Sequence, residues 1–177
     1  QRALTKRDLI VYFARVAAHI LPHLRDRPLT LVRFPNGIEG GHFYQKHYEQ
    51  GVPPFVETTW LYSDQNKGDG EYLRVNNLAT LLWLGQLADI ELHTWYSRVD
   101  PSGDAEGLPT TFAGSIENMQ QSVLNYPDFV VFDLDPYLYS GKEKRGEEPE
   151  LHPAGFAATC EVALWLNNRA YTLTFLG

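Results

Sequence analysis

Asp133 and Asp135 stand one residue apart in the run Val130-Val131-Phe132-Asp133-Leu134-Asp135-Pro136. The three apolar residues that lead in have the β-branched and aromatic character of a strand. Side chains alternate along a strand, so both carboxylates point one way and Leu134 points into the core. Pro136 removes a backbone donor and closes the strand. Two carboxylates then sit side by side at a strand end, where open α/β sheets bind ligands. They repel each other unless a cation or a proton lies between them. Oxygen ligands of this kind suit Mg²⁺ or Mn²⁺. The plain alternative is a pair of exposed aspartates at a strand-to-turn junction.

The elements that position this pair follow from periodicity. Residues 5–21 read as a helix, with Thr5 as cap and Asp8 completing a capping pattern. Leu9, Phe13, Val16, Ala17 and Ile20 form its apolar face, and Pro22 stops it. Residues 29–34 alternate as a strand, Pro35-Asn36-Gly37 is a turn, and residues 42–47 return as a second short strand, giving a hairpin. A further hairpin runs through 55–62, a polar turn at 64–70, and 72–75. Asn76 or Asn77 caps a largely apolar helix over 78–88. Residues 90–95 form a short strand carrying His93. Residues 101–115 are rich in Gly, Pro, Thr and Ser and read as a loop. After the paired aspartates, 137–153 is a polar excursion, 154–166 is helical with Asn167-Asn168 as its stop, and 170–176 alternates as a last strand.

Composition bounds the rest. A chain of 177 residues suits one domain over 1–177, and 44% hydrophobic with 21% charged residues is the make-up of a globular protein. Cys160 stands alone, which excludes a disulfide framework and a cysteine-rich zinc site. Lys6, Arg7 and Asp8 are not followed by the long apolar run of a secretory signal, so the expected location is cytoplasmic. The net charge of −7 argues against a simple nucleic-acid binder, but the charge is unevenly spread. Residues 1–50 hold eight Lys/Arg and four Asp/Glu, whereas 51–177 hold seven and eighteen. A basic third beside an acidic remainder is what a phosphate-binding surface beside a metal-binding one looks like; it is also within ordinary unevenness of solvated charge.

Four stretches together carry a resemblance: residues 4–37 (LTKRDLIVYFARVAAHILPHLRDRPLTLVRFPNG), 43–47 (FYQKH), 78–95 (LATLLWLGQLADIELHTW) and 126–136 (YPDFVVFDLDP). In order and spacing they resemble the polymerase domain of ligase D, the end-joining branch of the archaeo-eukaryotic primase superfamily. The resemblance implies an α+β fold with a mixed or antiparallel sheet and flanking helices. It implies a metal-dependent nucleotidyltransferase of DNA end joining, in which Asp133 and Asp135 hold two Mg²⁺ or Mn²⁺ ions. His93 matches a nucleotide-contacting histidine, and Lys6 matches a lysine that grips the 5′-phosphate of a DNA end. Lys46 and Arg33 become candidates for triphosphate or template phosphates. Phe43 and Tyr44 match paired aromatics at the end-binding surface, where a ring stacks on a base. Alternation turns one of those two rings to the core. His42 and His47 are expected to be surface residues. The implied partners are DNA ends with a 5′-phosphate and nucleoside triphosphates, and the implied location is the cytoplasm, at the nucleoid.

The family pattern also contains a second motif, with a serine and a histidine around a glycine, and a third with another metal-binding aspartate. Neither occurs in these 177 residues. The expectation is therefore a domain truncated before the end of its catalytic half, inactive alone, with an open sheet edge covered by a second polypeptide or a second copy. Two other readings stand beside it. One is a non-catalytic module that binds DNA ends or nucleotides. The other is a haloacid-dehalogenase-like phosphatase, with Asp133 as nucleophile and Asp135 as acid/base, although Pro136-Tyr137 stand where that family has Gly-Thr.

Overall fold

The computed structural model describes residues 3–48, 51–128, 130–137 and 152–174; for Asp104 and residues 169–174 it describes the backbone alone. The chain divides into two compact units, residues 1–130 and residues 131–177.

The first unit opens with α1 (Lys6–Leu24), whose start is a complete capping box: Asp8 N–H donates to the Thr5 hydroxyl, and Thr5 N–H donates to the Asp8 carboxylate. Pro22 does not stop this helix but lies inside its last turn. The bond lost at Pro22 falls where the helix is ending anyway, and the chain leaves helical geometry at Arg25. Five antiparallel strands follow: β1 (Leu29–Arg33), β2 (Phe43–Gln45), β3 (Glu57–Ser63), β4 (Gly68–Arg74) and β5 (Asp89–Thr94). Between β4 and β5 lies α2 (Leu78–Leu87). Asn77 is its cap, accepting from Thr80 N–H at 2.9 Å. Its neighbour Asn76 instead bridges Asp26 and Glu57.

β1 is the centre of the sheet. Leu31 pairs with Gln45 on one edge and Leu92 on the other; Leu29 pairs with Leu73 and Thr94. A residue has only two edges, so β2 and β4 share one side of β1 and β5 takes the other. Paired residues point to the same face. One face therefore carries Leu29, Leu31, Leu73 and Leu92, and α1 and α2 close over it through Phe13, Ala17, Leu81 and Leu84. Gly85 lets the helices approach: a Cβ there would lie 3.0 Å from the Phe13 ring. The opposite face carries Thr30, Val32, Tyr44, Glu91 and His93 in register. At its β3–β4 end that face is covered by a second core of Leu61, Tyr72, Val99, Phe112, Val123 and Leu124.

The 101–115 stretch is not merely a connector. It supplies Phe112, whose carbonyl accepts from Tyr62 N–H, and leads into α3 (Ile116–Gln121). Three further expectations are corrected. Phe43 and Tyr44 are both exposed, at 46% and 65%, because β2 is a three-residue edge strand with solvent on both sides. His47 is half-buried, its ring edge-on to Tyr72 and seated over Gly70. Residues 130–135 form no strand, and Val130, Val131 and Phe132 are exposed.

In the second unit, α4 (Pro153–Thr174) runs through Asn167-Asn168 and over 170–174, where alternation suggested a strand. A helix already nucleated adds each further turn at little cost, and five alternating residues do not outweigh that. Residues 175 and 176 of that expected strand lie outside the described residues.

Candidate functional site

The open face around β1 holds the densest grouping of expected residues. Its floor is Val32, which is buried. On β5, His93 and Glu91 sit two residues apart and so share this face; His93 Nε2 and Glu91 Oε2 are 2.9 Å apart. Across β1, Tyr44 tilts its ring toward His93 at 6.3 Å between centroids. Both rings are well exposed. A carboxylate on one ring nitrogen orients an imidazole, and the arrangement presents a hydrogen-bond donor beside a stacking surface. Glu91 is absent from the sequence reading, although the alternation that paired the aspartates also puts Glu91 with His93.

Arg33 lies on the other face. Its Nε donates to Leu87 O at 2.9 Å, placing the guanidinium at the C-terminal end of α2, where a cation is favoured. Its register partner is Asp89, fully buried, with no hydrogen-bond partner for either carboxylate oxygen among the described residues. Burial pushes the Asp89 carboxyl up to about 6, against the opposing pull of Arg33. Tyr48, buried nearby, is also pushed up: burial dominates, Arg33 pulls the other way, and Asp89 adds to the rise.

Lys46 is exposed and donates to Gln65 at 3.3 Å, beside the β3–β4 turn. Lys6 is exposed in the first turn of α1, next to the capping box. The structure thus brings His93 and Tyr44 together. It sets Phe43 and Arg33 in register with each other, one step along from the Val32–Tyr44 pair and so on the opposite face, and leaves Lys6 and Lys46 on separate elements.

In the second unit, Asp133 and Asp135 are exposed. Asp135 Oδ1 accepts from Tyr137 N–H at 3.0 Å, an Asx-type turn across Pro136. With no strand there, nothing in regular structure fixes both carboxylates to one side. The donor set fits a hard divalent cation chemically: both groups are exposed oxygen ligands. Among the described residues no group of three or more His, Cys, Asp and Glu is gathered for a metal.

A salt-bridge cluster that the sequence reading lacks completes the picture. Asp128, just before the apolar run, pairs with Arg27 and Arg98.

Comparison with known proteins gives these features a setting. Residues 5–168 match the family model described as LigD, primase-polymerase domain. The multifunctional non-homologous end joining DNA repair protein LigD of Mycobacterium tuberculosis (strain ATCC 25618 / H37Rv) is 30% identical over 135 residues, 75% of this chain and 15% of that protein. The LigD of Pseudomonas aeruginosa is 32% identical over 133 residues, 75% of this chain and 13% of that one. The bifunctional LigD of Bacillus subtilis (strain 168) is 30% identical over 102 residues, 58% and 16% respectively. The chain therefore spans about one-seventh of the length of these relatives. Among solved structures, the polymerase domain of Mycobacterium tuberculosis ligase D in complex with DNA aligns with a TM-score of 0.51 and 31% identity, covering 60% of this chain and 38% of that one.

Proposed function

This chain belongs to the LigD primase-polymerase domain family, and from that premise we propose that it is a nucleotidyltransferase module of DNA end joining, acting on DNA ends with nucleoside triphosphates. The observation that carries the reading is the shared open face of Glu91, His93 and Tyr44. A base stacks on an exposed ring there, and an oriented imidazole donates to a phosphate oxygen.

In this reading Asp133 and Asp135 hold Mg²⁺ or Mn²⁺. The bound metal stabilises the attacking 3′-oxygen and the leaving pyrophosphate. His93 and Lys46 hold the triphosphate. Lys6 takes the 5′-phosphate of the DNA end, and Phe43 and Tyr44 offer rings to its bases. Arg33, tied to Leu87 O, acts on phosphates through its field rather than by direct contact. Both units are assigned to one functional domain, 1–177, working in the cytoplasm at the nucleoid. Among the described residues, no helix is long and apolar enough to cross a membrane.

Two carboxylates are few for a two-metal centre, so turnover in this proposal draws a further ligand from another segment, a second polypeptide or a second copy. The scarcity of ligands favours one competing reading, a module that binds DNA ends without turnover. Primer extension with Mn²⁺ on a 5′-phosphorylated DNA end separates the two. Extension that Asp133→Ala abolishes supports the enzyme; tight DNA binding with no extension, whatever polypeptide is added, leaves the binding module. Nothing in the family match supports the phosphatase reading.

A further inference from the structure

Arg27 and Asp128 stand far apart in sequence and meet at the junction of α1 and β1. Arg27 is 2% exposed. Its Nη2 donates to both Asp128 carboxylate oxygens, at 2.6 and 2.7 Å, and its Nη1 donates to Trp95 O at 3.2 Å. Arg98 Nε lies 3.0 Å from Asp128 Oδ2. Asp128 N–H donates to Tyr96 O at 3.0 Å, just past the end of β5. Backbone and side chain of residue 128 are thus fixed together.

Burying a guanidinium is expensive, and a buried ion pair is a weak source of net stability against apolar residues of the same size. What a two-pronged Arg–carboxylate pair supplies is geometry. The residue so held begins the approach to the paired carboxylates. Asp133 is five positions further on, no more than about 18 Å of fully extended chain.

We propose that the Arg27–Asp128–Arg98 clamp is the positioning device for the carboxylate pair, with Asp128 the positioning residue that sets where the Asp133/Asp135 segment starts and which way it leaves. This rests on the metal role proposed above for that pair.

The test uses the full chain with Cys160→Ser, spin-labelled at Glu117→Cys and Val131→Cys, both exposed positions. Pulsed electron–electron resonance reads the distance between the labels, and Mn²⁺ titration of the unlabelled chain reads the metal site. Asp128→Glu keeps the charges but lengthens the anchor by one methylene. The clamp predicts a displaced or broadened distance and an Mn²⁺ affinity lower by about tenfold, with the unfolding midpoint unmoved. Should Asp128→Glu not fold, Arg98→Gln decides, because it spares the buried pair. Distances and Mn²⁺ affinity equal to the parent's overturn the clamp while the metal reading stands. If Asp133→Ala binds Mn²⁺ as tightly as the parent, the metal reading falls and takes with it the clamp's assignment to a metal site.

Discussion

Asp89 is buried with neither oxygen hydrogen-bonded among the described residues, and its titration gives the protein a pH dependence of definite sign. Burial raises its folded pKa to about 6, above the ordinary carboxylate value, so the folded state holds the proton more tightly than the unfolded chain. The stability this contributes is fully present below about pH 4 and is lost as pH rises through 6. The loss is on the order of 2–3 kcal/mol. Asp89→Asn removes the titration. Its melting temperature relative to the parent is expected to be more favourable at pH 7.5 than at pH 4, by thermal unfolding at both; an offset independent of pH would show that Asp89 is already ionised in the fold. Residue types alone pointed to His93 and Tyr44, because chemistry-bearing side chains on alternating segments are visible in a sequence. Arg33 shows where that stops. Its type said phosphate, but its register against Asp89 and its bond to Leu87 turn it to the helix-covered face. Which edge and which face a strand residue meets is a property of the assembled sheet.

Helix starts were legible in the sequence because capping is local chemistry: Thr5 with Asp8 and the Asn76/Asn77 pair both mark true N-termini. The β1–β2 and β3–β4 hairpins were legible for the same reason, through their turns. Segments whose state depends on neighbours were not. The 130–135 run has strand-like residues, yet a strand exists only where a ladder partner satisfies its backbone. His47 is the clearest case of a missed packing role. It follows β2 and lies over Gly70 of β4, while Asn66 of the β3–β4 turn sits 3.1 Å from its Nε2. A Cβ at position 70 would collide with the His47 ring. Gly70→Ala is therefore expected to cost about 1–3 kcal/mol. His47→Ala removes the obstacle, so the double variant should be little worse than His47→Ala alone. Denaturant unfolding of all four proteins completes the cycle; additive costs would mean that the ring and the glycine do not restrain each other.

For the molecule as a whole, the charge asymmetry bears on how an acidic protein meets DNA. With a net charge of −7 the overall field repels a polyanion, so binding has to come from the basic residues of the first fifty. The fold spreads those residues out. Arg27 is consumed by Asp128, and Arg33 by the end of α2. Lys6 remains exposed at the start of α1, and Lys46 beside the β3–β4 turn. A contact surface with so few free cations releases few counterions, so the affinity should fall only gently with salt, each lost phosphate contact flattening the slope by about 1. Lys6 stands at a helix N-terminus, where the exposed N–H groups and the positive end of the helix add to its charge. That placement suits a terminal phosphate better than one in the middle of a strand, because a terminal phosphate carries the extra charge. Lys6→Ala should then do more than weaken binding: it should erase the preference for a 5′-phosphorylated end over a 5′-hydroxyl end. Fluorescence anisotropy with both duplexes between 50 and 200 mM salt measures the ratio. A ratio unchanged from the parent's would assign Lys6 to ordinary solvated surface and move the 5′-phosphate contact elsewhere in the basic third.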